Sequence, residues 1–189
     1  MKRIYFFQPQ RGYYVDGKIS YYLPYSVGCL WSYAQQNTVI KENYQPEFIF
    51  KRTDLPQLLD NMQEPDLAVF SCYIWNWEYN RKAAEEIKRR WPNCLIQFGG
   101  PQITNRPLEK NFFKENPFVD SIINGEGEIA FQNLLLDFLN GKRPDKIISF
   151  TRLTELEYPS PYTSGVFNKI MADYPDYTWQ AVISAISSS

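Results

Sequence analysis

Five short β-rich runs punctuate this chain, each followed at some distance by a stretch with helical spacing, and that alternation leaves few folds open. The runs are Arg3 to Phe7, Glu47 to Lys51, Asp66 to Ser71, Cys94 to Phe98 and Val119 to Ile123. Between and after them, Pro24 to Gln35, Leu55 to Met62, Asn76 to Trp91, Leu108 to Glu115 and the stretch from Ile129 to Leu139, stopping near Gly141, carry apolar residues at helical spacing. The helix from Asn76 is the clearest. Asn76 is its expected cap, Ala84, Ile87 and Trp91 share a face, and Glu85/Arg89 and Glu86/Arg90 are helix-favourable pairs. Strands joined by helices pair in parallel through right-handed crossovers. The expected fold is α/β: a flavodoxin-like (Rossmann-like), doubly wound, parallel five-stranded sheet with helices on both faces. Asp145 to Phe150 is a candidate edge strand. The pattern stops after Thr151, which divides the chain into a domain at 1–150 and an extended, proline-rich remainder at 151–189. In that remainder only Gly165 to Ala172 reads as a short helix.

Composition narrows the chemistry more than the fold. The 189 residues contain no histidine, which excludes Ser-His-Asp and Cys-His catalysis, His-ligated metals and His proton shuttles. The three cysteines, Cys29, Cys72 and Cys94, are too far apart for a zinc or iron–sulfur motif. Their sparse, odd number suits a reduced, cytoplasmic protein. A formal net charge of −1 gives no global field toward nucleic acid or anionic lipid, so neither is an expected partner. Met1-Lys2-Arg3 runs straight into a strand without a signal peptide, and no apolar run has membrane-spanning length. Aromatic residues reach 17%, many outside the strands, which points to an aromatic-lined pocket or interface.

Open α/β sheets bind ligands beyond the carboxyl ends of their strands, where strand order reverses. The unusual loops of this chain lie at that edge. They are Gln8-Pro9 after the first strand, Ser71-Cys72-Tyr73-Ile74-Trp75-Asn76 after the third, Gly99-Gly100-Pro101 after the fourth and Gly125-Glu126-Gly127-Glu128 after the fifth. Glycines there let a ligand approach the backbone and its N–H groups, and a serine hydroxyl adds a polar contact. Each feature has an ordinary alternative: a turn for Gly-Gly-Pro, a helix start for Gly125 to Glu128, core packing for Trp75 and Trp77. The conjunction of four such loops is what singles out the edge. Other sheet-edge chemistries fail on residues. A phosphate-accepting receiver domain needs an acidic pair and an aspartate where this chain has Gln8 and Ser71. A flavodoxin phosphate loop, a Gly-x-Gly-x-x-Gly fingerprint and a P-loop are all missing.

Taken together, Leu23-Pro24-Tyr25-Ser26-Val27-Gly28, Ser71 to Asn76, Gly99-Gly100-Pro101 and Gly125 to Glu128 resemble the N-terminal cobalamin-binding domain of cobalamin-dependent radical S-adenosylmethionine enzymes. Leu156-Glu157-Tyr158-Pro159-Ser160-Pro161-Tyr162, with Gly165, resembles the linker into that family's catalytic barrel. The resemblance runs from about Lys2 to Trp179, carried by the order and spacing of the segments rather than by any one motif. It implies that Ser71 and Gly99-Gly100 line the slot for the nucleotide tail of cobalamin. It also implies cofactor contacts from Gln8, Pro24, Gly28, Cys72, Tyr73, Trp75, Asn76, Pro101 and Gly125, Glu126, Gly127 and Glu128. Well-known cobalamin domains carry Asp-x-His-x-x-Gly after the first strand, where the histidine ligates cobalt. This chain has Asp16-Gly17-Lys18-Ile19-Ser20 there, so the expected state is base-off with no protein imidazole on the metal.

One departure is large. The family's radical chemistry needs a Cys-x-x-x-Cys-x-x-Cys triad for its iron–sulfur cluster, expected just after Thr178-Trp179-Gln180-Ala181-Val182, and the sequence lacks it. The expectation is therefore a cobalamin module truncated at the start of a radical domain, with no catalytic residue of its own and inactive alone. The iron–sulfur cluster and S-adenosylmethionine would belong to full-length relatives. A separate radical domain or protein would be its partner. The other reading is a stand-alone α/β module that binds a ligand or a protein without cobalamin.

Overall fold

A computed structural model describes residues 1–104, 111–150 and 158–181 of the chain. Expectations for 105–110, 151–157 and 182–189 lie outside the described residues; they include the start of the helix expected from Leu108 and the Leu156-Glu157 pair. In chain order the strands are β1 (Lys2–Gln10), β2 (Tyr13–Val15), β3 (Lys18–Tyr22), β4 (Tyr44–Lys51), β5 (Leu67–Ser71), β6 (Leu95–Gly99), β7 (Ser121–Asn124), β8 (Ile147–Ser149) and β9 (Thr178–Gln180). The helices are α1 (Tyr25–Ala34), α2 (Thr38–Asn43), α3 (Leu55–Asn61), α4 (Trp77–Arg90), α5 (Pro101–Thr104), α6 (Phe112–Glu115), α7 (Glu128–Leu139) and α8 (Asn168–Asp173).

Six strands form one sheet in the order β4-β1-β5-β6-β7-β8, and every neighbouring pair is parallel. This is the flavodoxin-like order with one strand added at the far edge. The addition is β8, within Asp145 to Phe150, so the sheet has six strands where the alternation alone gave five. The inner strands β1, β5, β6 and β7 are buried on both faces, and their side chains alternate between two cores. Ile4, Phe6, Leu67, Val69, Leu95 and Ile123 face α1, α2 and α7. Tyr5, Phe7, Ala68, Phe70, Ile96, Phe98 and Ile122 face α3 and α4.

Helix ends follow local chemistry. Pro56 sits in the first turn of α3, and Asp54 caps it through Gln57 N–H at 3.2 Å. The end of α7 is a Schellman motif: Gly141 at φ +78° lets Gly141 N–H donate to the Phe138 carbonyl and Lys142 N–H to the Asp137 carbonyl. On α4 the expected Glu85/Arg89 and Glu86/Arg90 pairs do not form. Arg89 instead pairs with Glu86 at 2.6 Å, and Arg90 reaches Asp60 at 2.8 Å on α3.

Beyond the main sheet the structure holds more order than the sequence pattern suggests. The tyrosine-rich stretch after β1 is a hairpin, β2 against β3, closed by Asp16 (φ +50°) and Gly17 (φ +77°) in a two-residue turn of the Asp-Gly kind. β9 pairs in parallel with β3, so residues 158–181 return to the first third of the chain. Tyr21, Leu23, Phe50, Phe167 and Ile170 form the buried centre there, with Tyr174, Tyr177 and Trp179 around it. Much of the aromatic excess lies in this cluster. Lys51 adds its ammonium 3.8 Å from the centre of the Tyr174 ring. Phe167, 2% exposed, packs between Phe48 and Tyr162. Phe167→Ala should therefore destabilise the chain by about 3 kcal/mol, read as a lower urea midpoint.

Candidate functional site

The site begins with the two-residue period of three strands. On β5, β6 and β7, the residues facing α1 near the carboxyl edge are Val69 and Ser71, Gln97 and Gly99, and Ile123 followed by Gly125. All of them line one cavity of about 420 Å³. Tyr25, Ser26, Cys29 and Leu30, one stripe of α1, make the opposite wall, and Gly127 and Glu128 close the end at the start of α7. Tyr73, Gly100, Pro101, Glu126 and Tyr158 complete the rim. The volume is that of an ordinary small-molecule site. Strand order reverses between β1 and β5. The cavity starts at β5 and spreads over β6 and β7 rather than straddling the reversal.

Ser71, Tyr73, Gly99, Gly100, Pro101, Gly125, Glu126, Gly127 and Glu128 thus come together as anticipated in sequence. Gln8, Pro24, Gly28, Cys72, Trp75 and Asn76 do not line the cavity, and each has another task. Gln8 Oε1 accepts from Val27 N–H at 3.3 Å, and Pro24 is the residue before α1. Gly28 leaves room for Phe167 and Pro161, whose side chains a Cβ there would strike. Asn76 stands at the N-cap position of α4, as expected, but its side chain makes no cap hydrogen bond. Fully buried, it accepts from Tyr73 N–H at 2.8 Å and donates to the Ser71 carbonyl at 3.0 Å, which ties off the loop after β5. Asn80 also donates to the Ser71 carbonyl, at 3.1 Å. Trp75 stacks on Tyr73 with ring centroids 4.4 Å apart, and it remains 57% exposed beside Ile74 at 80%.

The loops after β5 and β6 hold each other. Cys72 N–H donates to the Gly99 carbonyl at 2.8 Å, and Gln102 N–H donates to the Cys72 carbonyl at 3.0 Å. Gly100 sits at φ +96°, and a Cβ on it would lie 2.8 Å from the Cys72 oxygen. Only glycine fits that approach. Gly99 differs. Its imagined Cβ meets nothing closer than 3.5 Å and sits above the Gln97 amide. Across the cavity, Ser26 Oγ and Tyr73 OH share a 2.5 Å hydrogen bond that joins α1 to the loop. Ser32 Oγ donates to the Pro159 carbonyl at 2.9 Å, which helps keep Tyr158 at the rim.

Among the described residues the charges of the lining are carboxylates, Glu126 and Glu128. Burial raises the Glu128 carboxyl above its ordinary value, and the charge of Glu126 adds to the rise. Burial likewise lifts the Cys29 thiol to about 11, and the enclosed Cys72 to about 12, so neither is a ready nucleophile near neutrality. Among the described residues no lysine or arginine lines the cavity, so backbone N–H groups and neutral side chains are what the described lining offers a ligand. The contacts expected from the sequence do not include Cys29, Leu30, Val69, Phe70, Gln97 and Ile123, nor Tyr25, Ser26 and Tyr158, although these last three lie in segments that carry the family resemblance. Only the helical stripe of α1 carried a readable signal.

No family model matches this chain. It is 36% identical over 169 residues to a cobalamin-dependent radical SAM methyltransferase, TokK, of Streptomyces tokunonensis, covering 80% of this chain and 24% of that protein. It is 32% identical over 169 residues to the 2-(S-pantetheinyl)-carbapenam-3-carboxylate methyltransferase of Streptantibioticus cattleyicolor, with the same two coverages. The chain thus spans about a quarter of the length of these curated relatives. The N-terminal domain of a hypothetical protein from Thermotoga maritima superposes with a TM-score of 0.40 at 20% identity, covering 62% of this chain and 87% of that one.

Two measurements test this geometry. Asn76→Ala removes two buried hydrogen bonds and takes away the partner of the Tyr73 N–H, while the Ser71 carbonyl keeps Asn80, and should cost about 2 kcal/mol in chemical denaturation. Glu128 has a folded pKa raised above its unfolded value of 4.5, so its favourable contribution is complete below that value and is lost as pH rises through the folded one. Glu128→Gln should therefore be more stable than the parent at pH 7, with the gap closing as pH falls below 4.5.

Proposed function

We propose that this chain is a cobalamin-binding module, related to radical S-adenosylmethionine methyltransferases, that holds the cofactor base-off without a protein ligand to cobalt. The observation that carries the reading is the glycine-walled cavity over β5, β6 and β7 in a chain whose curated relatives are methyltransferases, one named as cobalamin-dependent. The residues fit the cofactor's tail. Gly99 leaves the sheet edge bare where any side chain would project toward the tail, and Ser71 and Ser26 add hydroxyls to a largely apolar lining. The tail carries one phosphodiester charge, which backbone N–H groups can serve. A nucleoside triphosphate finds no counter-charge among the described residues of this lining. No histidine exists to take the lower face of the metal, so the base would be displaced into the cavity without an imidazole replacing it.

When bound, cobalamin supplies a methyl group on cobalt for transfer. The chain's own residues bind and orient. Gly99 and Gly125 give close approach, Tyr73 with Ser26 closes the side, and Trp75, stacked on Tyr73, and Ile74 offer exposed apolar surface to a corrin. Residues 1–150 are the binding unit in this proposal, with the segment beyond 150 leading toward a radical domain or a separate radical protein as partner. A reduced, cytoplasmic setting belongs to the same proposal, since Cys72 and Cys94 are buried free thiols.

Incubation with hydroxocobalamin, desalting and a visible spectrum decide the matter, and a colourless protein refutes it. Gly99→Val is the informative variant, because the fold has room for its side chain while the tail does not. It should weaken cobalamin binding by roughly tenfold or more with little loss of stability. Gly100→Val tests the loop instead, since it cannot fold as observed whatever binds. Electron paramagnetic resonance of the cob(II)alamin complex should show the base-off spectrum without nitrogen splitting.

A further inference from the structure

Gln97 is out of character for its position. It lies on the central strand β6 between Leu95 and Gly99, on the face that packs toward α1, and it is 1% exposed. Its lateral neighbour on β5 is Val69, and Ser121 on β7 is satisfied by the Asp145 carbonyl at 2.8 Å. A primary amide offers two N–H donors and an oxygen with two lone pairs. Among the described residues the Gln97 side chain makes one hydrogen bond, from Nε2 to the Phe98 carbonyl at 2.5 Å. One N–H and the amide oxygen are left over on a side chain that lines the floor of the cavity. Leaving amide groups unpaired in an apolar floor is unfavourable, and a leucine or methionine would fill the same volume without that cost.

We propose, resting on the cobalamin reading above, that Gln97 reads the lower base of the cobamide by donating its spare N–H to a ring nitrogen. Such a bond selects for nitrogen-heterocyclic bases, benzimidazoles and purines, over phenolic ones, which offer no ring nitrogen and would leave the buried amide unpaired. The amide oxygen can in addition accept from an exocyclic amine, as on adenine. Val69, Ile123 and Leu30 surround the base with apolar contact and supply no competing polarity.

The test titrates the full chain and Gln97→Leu with four corrinoids: one with a benzimidazole base, one with adenine, one with a phenolic base, and cobinamide, which has no base. In the variant, the ratio of benzimidazole to phenol affinity should fall roughly tenfold, with a similar fall for adenine and no change for cobinamide. The cost of opening the cobalt–base bond cancels, because each ratio is compared between two proteins. Gln97→Met serves as a second replacement should the leucine variant not fold, and thermal unfolding shows which variants are native. An unchanged ratio overturns the assignment. So does an equal loss for benzimidazole and phenol, which would place the amide on the ribose or phosphate. If the parent chain binds cobinamide as tightly as cobalamin, the cavity does not hold the base and this inference fails while cobalamin binding stands. If the parent binds no corrinoid, both readings fail together.

Discussion

The cavity depends on the contact between Cys72 and Gly99-Gly100. Parallel strands normally splay once their ladder ends, yet here the hydrogen bonding continues from the end of β5 into the two loops, through Cys72 N–H to the carbonyl of Gly99 at the end of β6 and Gln102 N–H to the Cys72 carbonyl. The chain can do this because Gly100 takes φ +96° and carries no Cβ, with the Cys72 backbone 2.8 Å from where one would be. The result is a rigid edge. The loop after β5 is pinned on its other side by Asn76 and Asn80, which converge on the Ser71 carbonyl. Tyr73 is therefore held in place to meet Ser26, and the cavity keeps its side wall without any ligand contributing to it.

The opposite wall has a different origin. α1 is set by Gln8 at its start, by Gly28 against Phe167 and Pro161, and by Ser32 against Pro159 and Ser164. Four of those partners belong to the segment after residue 158, which returns to the hairpin through β9. The position of α1 over the sheet, and so the width of the cavity, is thereby coupled to residues more than a hundred positions downstream. Gly28 serves binding indirectly, by allowing a close seat for Phe167, and contributes nothing to the lining.

The sheet was legible because its signal is local. Each of β1, β4, β5, β6 and β7 is an apolar run bounded by polar or turn residues, and a run buried on both faces cannot be mistaken for an amphipathic helix of ten residues. The glycine loops were legible for a related reason, since Gly99-Gly100 and Gly125 to Gly127 sit directly after those runs. The hairpin β2–β3 was hidden because Tyr13 to Tyr22 reads as a polar, tyrosine-rich loop, although Asp16-Gly17 is the turn pair that such a hairpin calls for. β9 was hidden because its three residues gain their meaning only from a partner strand some 160 positions earlier. In the site, Asn76 looked like a helix cap because asparagine before a helix usually is one. Its side chain instead closes the preceding loop, a choice set by the buried Tyr73 N–H and Ser71 carbonyl that no sequence window displays. Gln97 was missed since a single polar residue inside a strand run is ordinarily noise.

The two glycines of the β6 loop also show why recognition at such an edge falls to the backbone. Gly100 is required by the protein itself, since its conformation and its neighbour leave no alternative. Gly99 is not: its backbone conformation accepts other residues, and its Cβ would make only ordinary contacts. Glycine at Gly99 has no structural reason on the protein side, and the space it leaves opens above Gln97 into a cavity whose only charges among the described residues are Glu126 and Glu128. A ligand reaching that spot must press flat against a strand end, carry little negative charge and find its polar partners among amide and hydroxyl groups. A planar base on a single phosphodiester meets all three demands, whereas a polyphosphate meets none of the electrostatic ones. The division of labour between adjacent glycines, one holding the loop and one clearing the floor, therefore argues for a flat, weakly charged ligand independently of any relative.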